Sequence, residues 1–236
     1  FIFNSKKERF TFFKKHTDIT IIDTFFIDTM FNNNKYHDRY YPNLLDNIPN
    51  DERKNHFFSP TILINKNLKE KIRIAEKTEN QFLFIFDILK LKDYLYALSS
   101  PLRIKKINLN NIMFRNMNIG PILKADFKKN ISSKSSFLGI LNYLLFKALK
   151  NEKIKLRLVI NWFENQSIDR GFNLGKNKFF PNTLSLGYQG FSGYHDFHSH
   201  YIPTLHEYET GQTPNQLAVI GKTIVKKIRK VCPYIN

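Results

Sequence analysis

The second half of the chain carries the clearest apolar pattern, and that pattern begins with a helix. Apolar residues recur at intervals of three or four between Phe137 and Lys150, which is the spacing of one face of an α-helix. The residues on this face are Leu138, Leu141, Leu145 and Leu149. Ser135 and Ser136 precede the pattern and are suitable N-cap residues. The sequence therefore predicts a helix over 137–150.

Three short apolar runs follow, and each is typical of a buried strand. They cover Leu156–Trp162, Thr183–Tyr188 and Leu217–Gly221. A helix-like stretch at Arg170–Lys178 separates the first two runs, and a basic helix is predicted at Lys222–Lys230 after the third. Because strands that alternate with helices form parallel sheets, we predict an α/β fold with a Rossmann-like, mainly parallel sheet.

The first half of the chain has a weaker pattern. Apolar patches at Ile19–Ile27 and Thr61–Ile64 predict short strands that irregular polar segments connect. Between Leu68 and Ser99 the apolar positions are dense enough for helices, and Pro101 ends that stretch. Residues spaced at three or four within it are Phe82, Phe86, Leu89 and Asp93.

The length of the chain and its net charge limit the number of domains and the kinds of partner. At 236 residues with 42% hydrophobic residues, the chain can fill one large α/β domain. Its net charge of +17 accompanies abundant Lys, Asn, Ile and Phe, a bias that AT-rich codons also produce, so charge is weak evidence of a partner. The basic residues are scattered in short pairs, which argues against nucleic acid and suits anionic lipid headgroups or phosphorylated sugars.

The single cysteine indicates a compartment. Cys232 has no second cysteine to pair with, so a reducing, cytoplasmic location is the simplest interpretation. No run approaches the roughly 20 apolar residues that span a bilayer. Since the first residue is Phe1 and not Met, we expect a fragment of a longer protein.

Glu164 is the leading candidate for chemistry, because it follows the predicted strand at 156–162. Open α/β sheets bind ligands at the carboxyl ends of their strands, and a carboxylate there can act as a general base. Alternatively, Glu164 caps the following turn or forms a structural ion pair with Arg170. Asn165, Gln166 and Arg170 offer hydrogen-bond donors to hydroxyl or phosphate groups, or they cap the loop.

A second candidate region is rich in histidine and tyrosine. His195, His198, His200 and His206, with Asp196 and Glu207 among them, could bind a metal ion, but their spacing matches no standard site and we expect no metal. A solvated or acceptor-binding loop explains them better. The aromatic faces available to a sugar are those of Tyr188, Phe191, Tyr194 and Tyr201.

Two nucleotide and nucleophile motifs are incomplete. Gly221-Lys222 after a strand could place a helix N-terminus against phosphate. A P-loop would need glycine where Gln216 stands. Ser192 lacks the Gly-x-Ser-x-Gly spacing of a nucleophile elbow.

Several segments between Leu156 and Lys222, taken in order, resemble bacterial surface-carbohydrate transferases of the GT-B class. The segments are Trp162-Phe163-Glu164-Asn165-Gln166, Asp169-Arg170-Gly171, Phe180-Pro181-Asn182-Thr183, Gly187-Tyr188-Gln189-Gly190-Phe191, Pro203 with Glu207, and Pro214 before Val219-Ile220-Gly221. The pair Gln189-Gly190 is similar to the Gln-His-Gly turn of capsule and teichoic-acid-type transferases, but this chain lacks the histidine. No role of that histidine is therefore carried over.

The resemblance implies two Rossmann-like domains that face each other across a cleft. Residues 1–212 would form the acceptor-side domain, and residues 213–236 the linker and the start of a donor-binding domain, most of which is missing here. The partners implied are a nucleotide-sugar donor and a glycan or lipid-linked acceptor of the capsule or lipopolysaccharide type, with no other cofactor. Peripheral contact with the anionic inner membrane is compatible with this assignment.

The resemblance also suggests roles for single residues. Glu164 would accept the proton of the acceptor hydroxyl, or hold that hydroxyl in place. The residues expected to bind substrate are Asn165, Gln166, Arg170, Tyr188, Gln189, Gly190 and Tyr194. Gly221 and Lys222 would contact the donor, and the fragment alone is expected to be inactive.

Two other classes of function stay open. One is a noncatalytic module that binds sugars or anionic headgroups, and the other is a basic nucleic-acid-binding protein. A transferase would gather its basic residues near a membrane-facing edge or the cleft, whereas nucleic-acid binding needs a continuous basic stripe.

Overall fold

A computed structural model describes residues 6–64, 66–130, 132–191 and 201–235. The strands within these ranges are β1 (Ile19–Phe26), β2 (Phe31–Asn32), β3 (Lys35–Tyr36), β4 (His56–Ile62), β5 (Gln81–Phe82), β6 (Met113–Phe114), β7 (Met117–Asn118), β8 (Leu156–Trp162), β9 (Leu184–Gln189) and β10 (Gln216–Val219). The helices are α1 (Lys6–Phe13), α2 (Asn50–Arg53), α3 (Leu68–Ala75), α4 (Ile85–Ile88), α5 (Leu91–Leu98), α6 (Ser100–Ile104), α7 (Gly120–Asn130), α8 (Lys134–Asn151), α9 (Ser167–Phe179), α10 (Leu205–Glu209) and α11 (Lys222–Val231).

Six of the strands form one parallel sheet, in the order β5-β4-β1-β8-β9-β10. Numbered along the chain, these six strands run 3-2-1-4-5-6, which is the Rossmann order. The prediction of a Rossmann-like parallel sheet is confirmed. The order reverses between β1 and β8, so the crevice for a ligand lies at the carboxyl ends of these two strands.

The sheet has an apolar core on each face, because successive side chains of β1 point in opposite directions. Ile19 and Ile21 pack in a cluster with residues of α1, α8 and α9. Ile22 and Phe26 pack in a second, aromatic cluster formed mainly by the segment 27–48, by β4 and β5, and by Trp162. Burial on both faces explains why the strands have near-continuous apolar runs.

The backbones of helices α8 and α9 pack closely together at three glycine residues. A Cβ atom at Gly171 would overlap the carbonyl oxygen of Gly139, and one at Gly139 would overlap the carbonyl oxygen of Ser167. At Gly175 an added Cβ would lie 2.8 Å from the Cα of Tyr143. These contacts set the position of α9, whose N-terminus follows the loop after β8.

The last two elements belong to the same sheet. β10 pairs with β9, Leu217 opposite Gly187, and Ile228 of α11 is buried with Leu217 and Val219. Residues 213–236, which we expected to form a linker and the start of a second domain, therefore add one strand to the first sheet and one helix that packs beside that strand. Among the residues described, every helix falls short of the length and apolar character that a transmembrane span requires.

The main elements of the second half lie where predicted, with small differences at their ends. The N-cap of α8 is Ser133, whose Oγ accepts a hydrogen bond from the backbone N–H of Ser136, so the prediction of Ser135 or Ser136 as the cap is wrong. In the first half, Phe82 lies in β5, Phe86 in α4 and Asp93 in α5, so their regular spacing does not mark one helix.

Candidate functional site

The loop between β8 and α9 presents Glu164 at the carboxyl edge of the sheet, next to the point where the strand order reverses. Its carboxylate is held from both sides: Trp162 Nε1 donates to Oε1 at 2.7 Å and Gln166 Nε2 donates to Oε2 at 2.5 Å. Trp162 is itself only 8% exposed. Its ring packs edge-on against Tyr40 and Tyr188, which fixes the indole N–H that holds Glu164.

An open cavity of about 420 Å³ lies beside this carboxylate. Its described lining consists of Ser135, Glu164, Asn165, Gln166, Ser167, Arg170 and Tyr201. Four of these residues are ones that the sequence selected for catalysis or substrate binding. The lining offers carboxylate, amide, hydroxyl and guanidinium groups together with one aromatic ring, a set suited to a polyhydroxylated ligand.

Arg170 pairs with Glu207 and not with Glu164. The distance from Arg170 Nη2 to Glu207 Oε1 is 2.6 Å, and Asn165 Nδ2 donates to Glu207 Oε2 at 3.2 Å. Burial acts to raise the pKa of Glu207, but hydrogen bonds from Thr204 and Asn165 and the charge of Arg170 outweigh it and lower that pKa. Glu207 is therefore ionised at neutral pH. The alternative of a structural ion pair between Glu164 and Arg170 is not what the structure contains.

A buried polar cluster lies behind the loop. Asn161 Nδ2 donates to Asp23 Oδ2 at 3.2 Å, and Asn173 Nδ2 donates to Asn161 Oδ1 at 3.1 Å. Asp169 Oδ2 accepts the backbone N–H groups of Glu164 at 2.8 Å and Gln166 at 3.0 Å. These last two bonds fix the backbone on either side of Asn165, which has a left-handed φ of 55°.

Burial changes the ionisation of both carboxyls in this cluster. It raises the pKa of Asp169 to about 7, against the lowering effect of the backbone N–H groups of Gln166 and Glu164. Burial, with a smaller effect from the charge of Asp169, raises the pKa of Asp23 well above its usual value. Carboxyls with shifted pKa values are frequent at functional sites, although structural networks also produce them. Neither Asp23 nor Asp169 is among the described residues that line the cavity.

Other residues selected from the sequence lie elsewhere. Tyr188 packs against Trp162, and Gln189 is 3% exposed with its Nε2 donating to the backbone oxygen of Tyr201 at 2.8 Å, so both contact the site from behind. Gly190 follows at the end of β9. Among its described lining residues, the cavity has none of these three.

Gly221 and Lys222 are at the same edge of the sheet but on its outer strand. Gly221 precedes α11 with a φ of 95°, and both residues are exposed. β9 separates their strand from β8, so they are set apart from Glu164 by about 10 Å across the sheet.

Tyr194, Ser192, His195, Asp196, His198 and His200 lie outside the described residues. His206 is exposed on α10, beside Glu207. Within the described ranges there is no group of three or more His, Cys, Asp or Glu side chains that could hold a metal ion.

The sequence interpretation missed the polar cluster behind the loop and the role of Glu207. The signal for Asp23 was available, because it is the one charged residue in the apolar run of β1. The signal for Glu207 was not, because its partners Arg170 and Asn165 come from a distant part of the chain and only the fold brings them together.

No protein-family model, curated protein or solved structure matches this chain.

Proposed function

We propose that this chain is the acceptor-side part of a GT-B-class glycosyltransferase, which transfers a sugar from a nucleotide-activated donor to a surface polysaccharide or lipid-linked acceptor. The observation that carries the proposal is the placement of Glu164. Its carboxylate lies at the carboxyl edge beside β1 and β8 and lines an open cavity, with both oxygens oriented by Trp162 and Gln166.

In this proposal the acceptor sugar binds in the cavity beside Asn165, Gln166 and Arg170. A carboxylate has about four lone-pair positions, so Glu164 can accept a hydrogen bond from an acceptor hydroxyl in addition to those from Trp162 and Gln166. It then takes the hydroxyl proton as the sugar oxygen attacks the donor, or it holds that hydroxyl in line for attack. Glu207 keeps the guanidinium of Arg170 directed along the cavity wall.

The second candidate is a noncatalytic module that binds a glycan in the same cavity. The hydrogen bonds that Trp162 and Gln166 donate to Glu164 favour it, because they occupy lone pairs of the carboxylate that a substrate proton would otherwise use. The transferase and the noncatalytic module would bind a glycan in the same way, but only the transferase would transfer a sugar to it.

The first test is acceptor binding, which needs only the residues of this chain. Saturation-transfer NMR with a panel of oligosaccharides should show binding, and Gln166→Ala should weaken it by about tenfold, as expected for loss of one or two polar contacts. Lys178→Ala, at an exposed position near the end of α9, the helix that Gln166 precedes as N-cap, is the control and should bind as the parent does. Binding that Gln166→Ala leaves unchanged would place the acceptor elsewhere.

The second test separates the two candidates. Calorimetry and nucleotide release with a panel of nucleotide-sugars should show weak donor binding and no turnover by this chain, and turnover by the two-domain protein. Saturable micromolar donor binding with turnover by residues 1–236 would contradict the division into acceptor and donor domains. Glycan binding without turnover in the two-domain protein would favour the noncatalytic module.

A further inference from the structure

The segment 90–134, between the end of α4 and the start of α8, has apolar side chains on its outer surface. Ten of the fourteen large hydrophobic side chains that are exposed among the described residues lie between Leu91 and Ile122. Between residues 101 and 130, Gly120 is the only buried residue. The segment therefore covers little of the core and carries most of the exposed large apolar side chains of the described residues; we call its exposed side the 90–134 surface.

This surface is also strongly basic. Residues 90–134 include ten Lys or Arg and two Asp, a net charge of +8, so nearly half of the chain's +17 lies in about a fifth of its length. Nine of the ten basic residues are exposed, and Arg103 is partly exposed. From the sequence we interpreted the basic residues as scattered pairs, whereas this one segment contains ten of them together with most of the exposed large apolar side chains.

A hairpin in this segment has the features of an interfacial anchor. β6 and β7 are joined by Arg115 and Asn116, both with positive φ, which is the geometry of a tight two-residue hairpin turn. Met113, Phe114 and Met117 are 59%, 55% and 60% exposed. The guanidinium of Arg115 lies 5.5 Å from the ring centre of Phe114. Aromatic and apolar groups beside a cation are suited to the boundary between headgroups and acyl chains.

We propose that the 90–134 surface docks on an anionic lipid bilayer, with the hairpin at Met113–Asn118 entering the headgroup layer and the surrounding lysines contacting lipid phosphates. Charge is the reason to prefer a bilayer to another protein. Two copies of a +8 surface repel each other, and the buried centres of protein interfaces are depleted in lysine. A peripheral membrane surface combines exposed apolar residues with Lys and Arg, as this surface does.

The 90–134 segment leads into the candidate site along the chain. Ser135, which follows the segment at the start of α8, lines the cavity beside Glu164. The inference stands apart from the proposed glycosyl transfer, because it depends only on the surface and its test measures no reaction.

The test is sedimentation with lipid vesicles at low ionic strength. The chain should bind vesicles of phosphatidylcholine with about one-third phosphatidylglycerol, should release from them as salt is added, and should not bind pure phosphatidylcholine. The variant Lys106→Gln/Lys128→Gln/Lys129→Gln should lower the affinity about a hundredfold, since each lysine near a bilayer contributes about a fivefold factor. The control Lys226→Gln/Lys227→Gln/Lys230→Gln on α11 removes the same charge and should change the affinity by less than about threefold.

A second variant tests the hairpin. Met113→Ser/Phe114→Ser/Met117→Ser alters only exposed side chains, so the fold should be intact by circular dichroism while binding to anionic vesicles falls at least about tenfold. Equal losses in the two lysine variants would show that total charge alone governs binding and would overturn the proposal. Absence of vesicle binding would overturn it too. A dimer in solution that the hairpin variant abolishes, without vesicle binding, would assign the surface to a second copy of the chain.

Discussion

The guanidinium of Arg170 lies 2.6 Å from the carboxylate of Glu207, two residues from different helices that meet in front of Asn165. This pairing leaves Glu164 with the neutral donors Trp162 and Gln166. The carboxylate of Glu164 therefore keeps lone pairs that a substrate hydroxyl can approach, which is the geometry that the proposed function needs.

The Arg170–Glu207 pair should show measurable coupling. We expect a double-mutant cycle with Arg170→Met and Glu207→Gln to give about 1 kcal/mol in the free energy of unfolding, because the Glu207 side chain is 12% exposed while that of Arg170 is 40% exposed. The exposed pair Lys14–Glu152 is the control and should give about 0.3 kcal/mol or less. A cycle between Arg170 and Glu164 that gave the larger coupling would contradict the observed pairing.

Asp169 should make stability depend on pH. Its pKa is about 7 in the folded protein against an ordinary 3.8, so the folded protein keeps a proton that the unfolded chain releases above pH 4. Its contribution to the free energy of unfolding is therefore present at low pH and is lost as pH rises from about 4 to 7, by up to roughly 4 kcal/mol.

Asp169→Asn keeps an oxygen for the N–H groups of Glu164 and Gln166 but does not titrate. Urea unfolding at pH 4.5 and pH 7.5 should therefore show a smaller decrease in stability for this variant than for the parent. Asp23 contributes in the same direction in both proteins, and the variant also removes the effect of the Asp169 charge on the pKa of Asp23, so the difference between them reports Asp169 together with this coupling. The same decrease in both proteins would mean that the Asp169 carboxyl does not retain its proton.

The glycine contact between α8 and α9 should tolerate no side chain. We expect Gly171→Ala to lower the free energy of unfolding by about 2 to 4 kcal/mol, because the new methyl group overlaps the backbone of Gly139. Lys178→Ala, exposed on the same helix, should change it by less than about 0.5 kcal/mol. Thermal unfolding of the two variants measures the contrast, and equal stabilities would show that the helices can move apart without loss.

Trp162 should act on turnover through Glu164. Trp162→Phe keeps an aromatic ring among Tyr40, Tyr41 and Tyr188 but removes the indole N–H that donates to Glu164. We expect turnover of the proposed two-domain transferase to fall about tenfold, since one hydrogen bond that orients the carboxylate is lost. Unchanged turnover, or a loss that reduced stability explains, would indicate that the indole only fills space.

The strands and helices around the site could be predicted because the apolar pattern of each lies within its own residues. The bounds of β8 were predicted as Leu156–Trp162, and those are its bounds in the structure, because the run is apolar and polar residues follow it. The N-terminal cap of α8 could not be chosen from the sequence, since Ser133, Ser135 and Ser136 are equally suitable and only the geometry of the first turn selects Ser133.

The first half of the chain was harder to predict because its signals depend on tertiary structure. β5 consists of Gln81 and Phe82 alone and is a strand only because it pairs with β4. The role of Asp169 likewise depends on the fold, since its carboxyl becomes buried only when α9 packs on the sheet. The apolar pattern predicted helices between Leu68 and Ser99 but did not indicate which of their side chains would be exposed, and Leu91, Leu95 and Leu98 are exposed in the structure.

The decisive experiment on the role of Glu164 is Glu164→Gln in the proposed two-domain transferase, assayed for turnover with donor and acceptor. The amide keeps the shape of the side chain and can still accept the indole N–H of Trp162, but it cannot take a proton. We expect turnover to fall by about a hundredfold or more, with acceptor binding and circular dichroism unchanged. Turnover within about threefold of the parent, or a loss explained by unfolding, would contradict the assignment of Glu164 as the catalytic base.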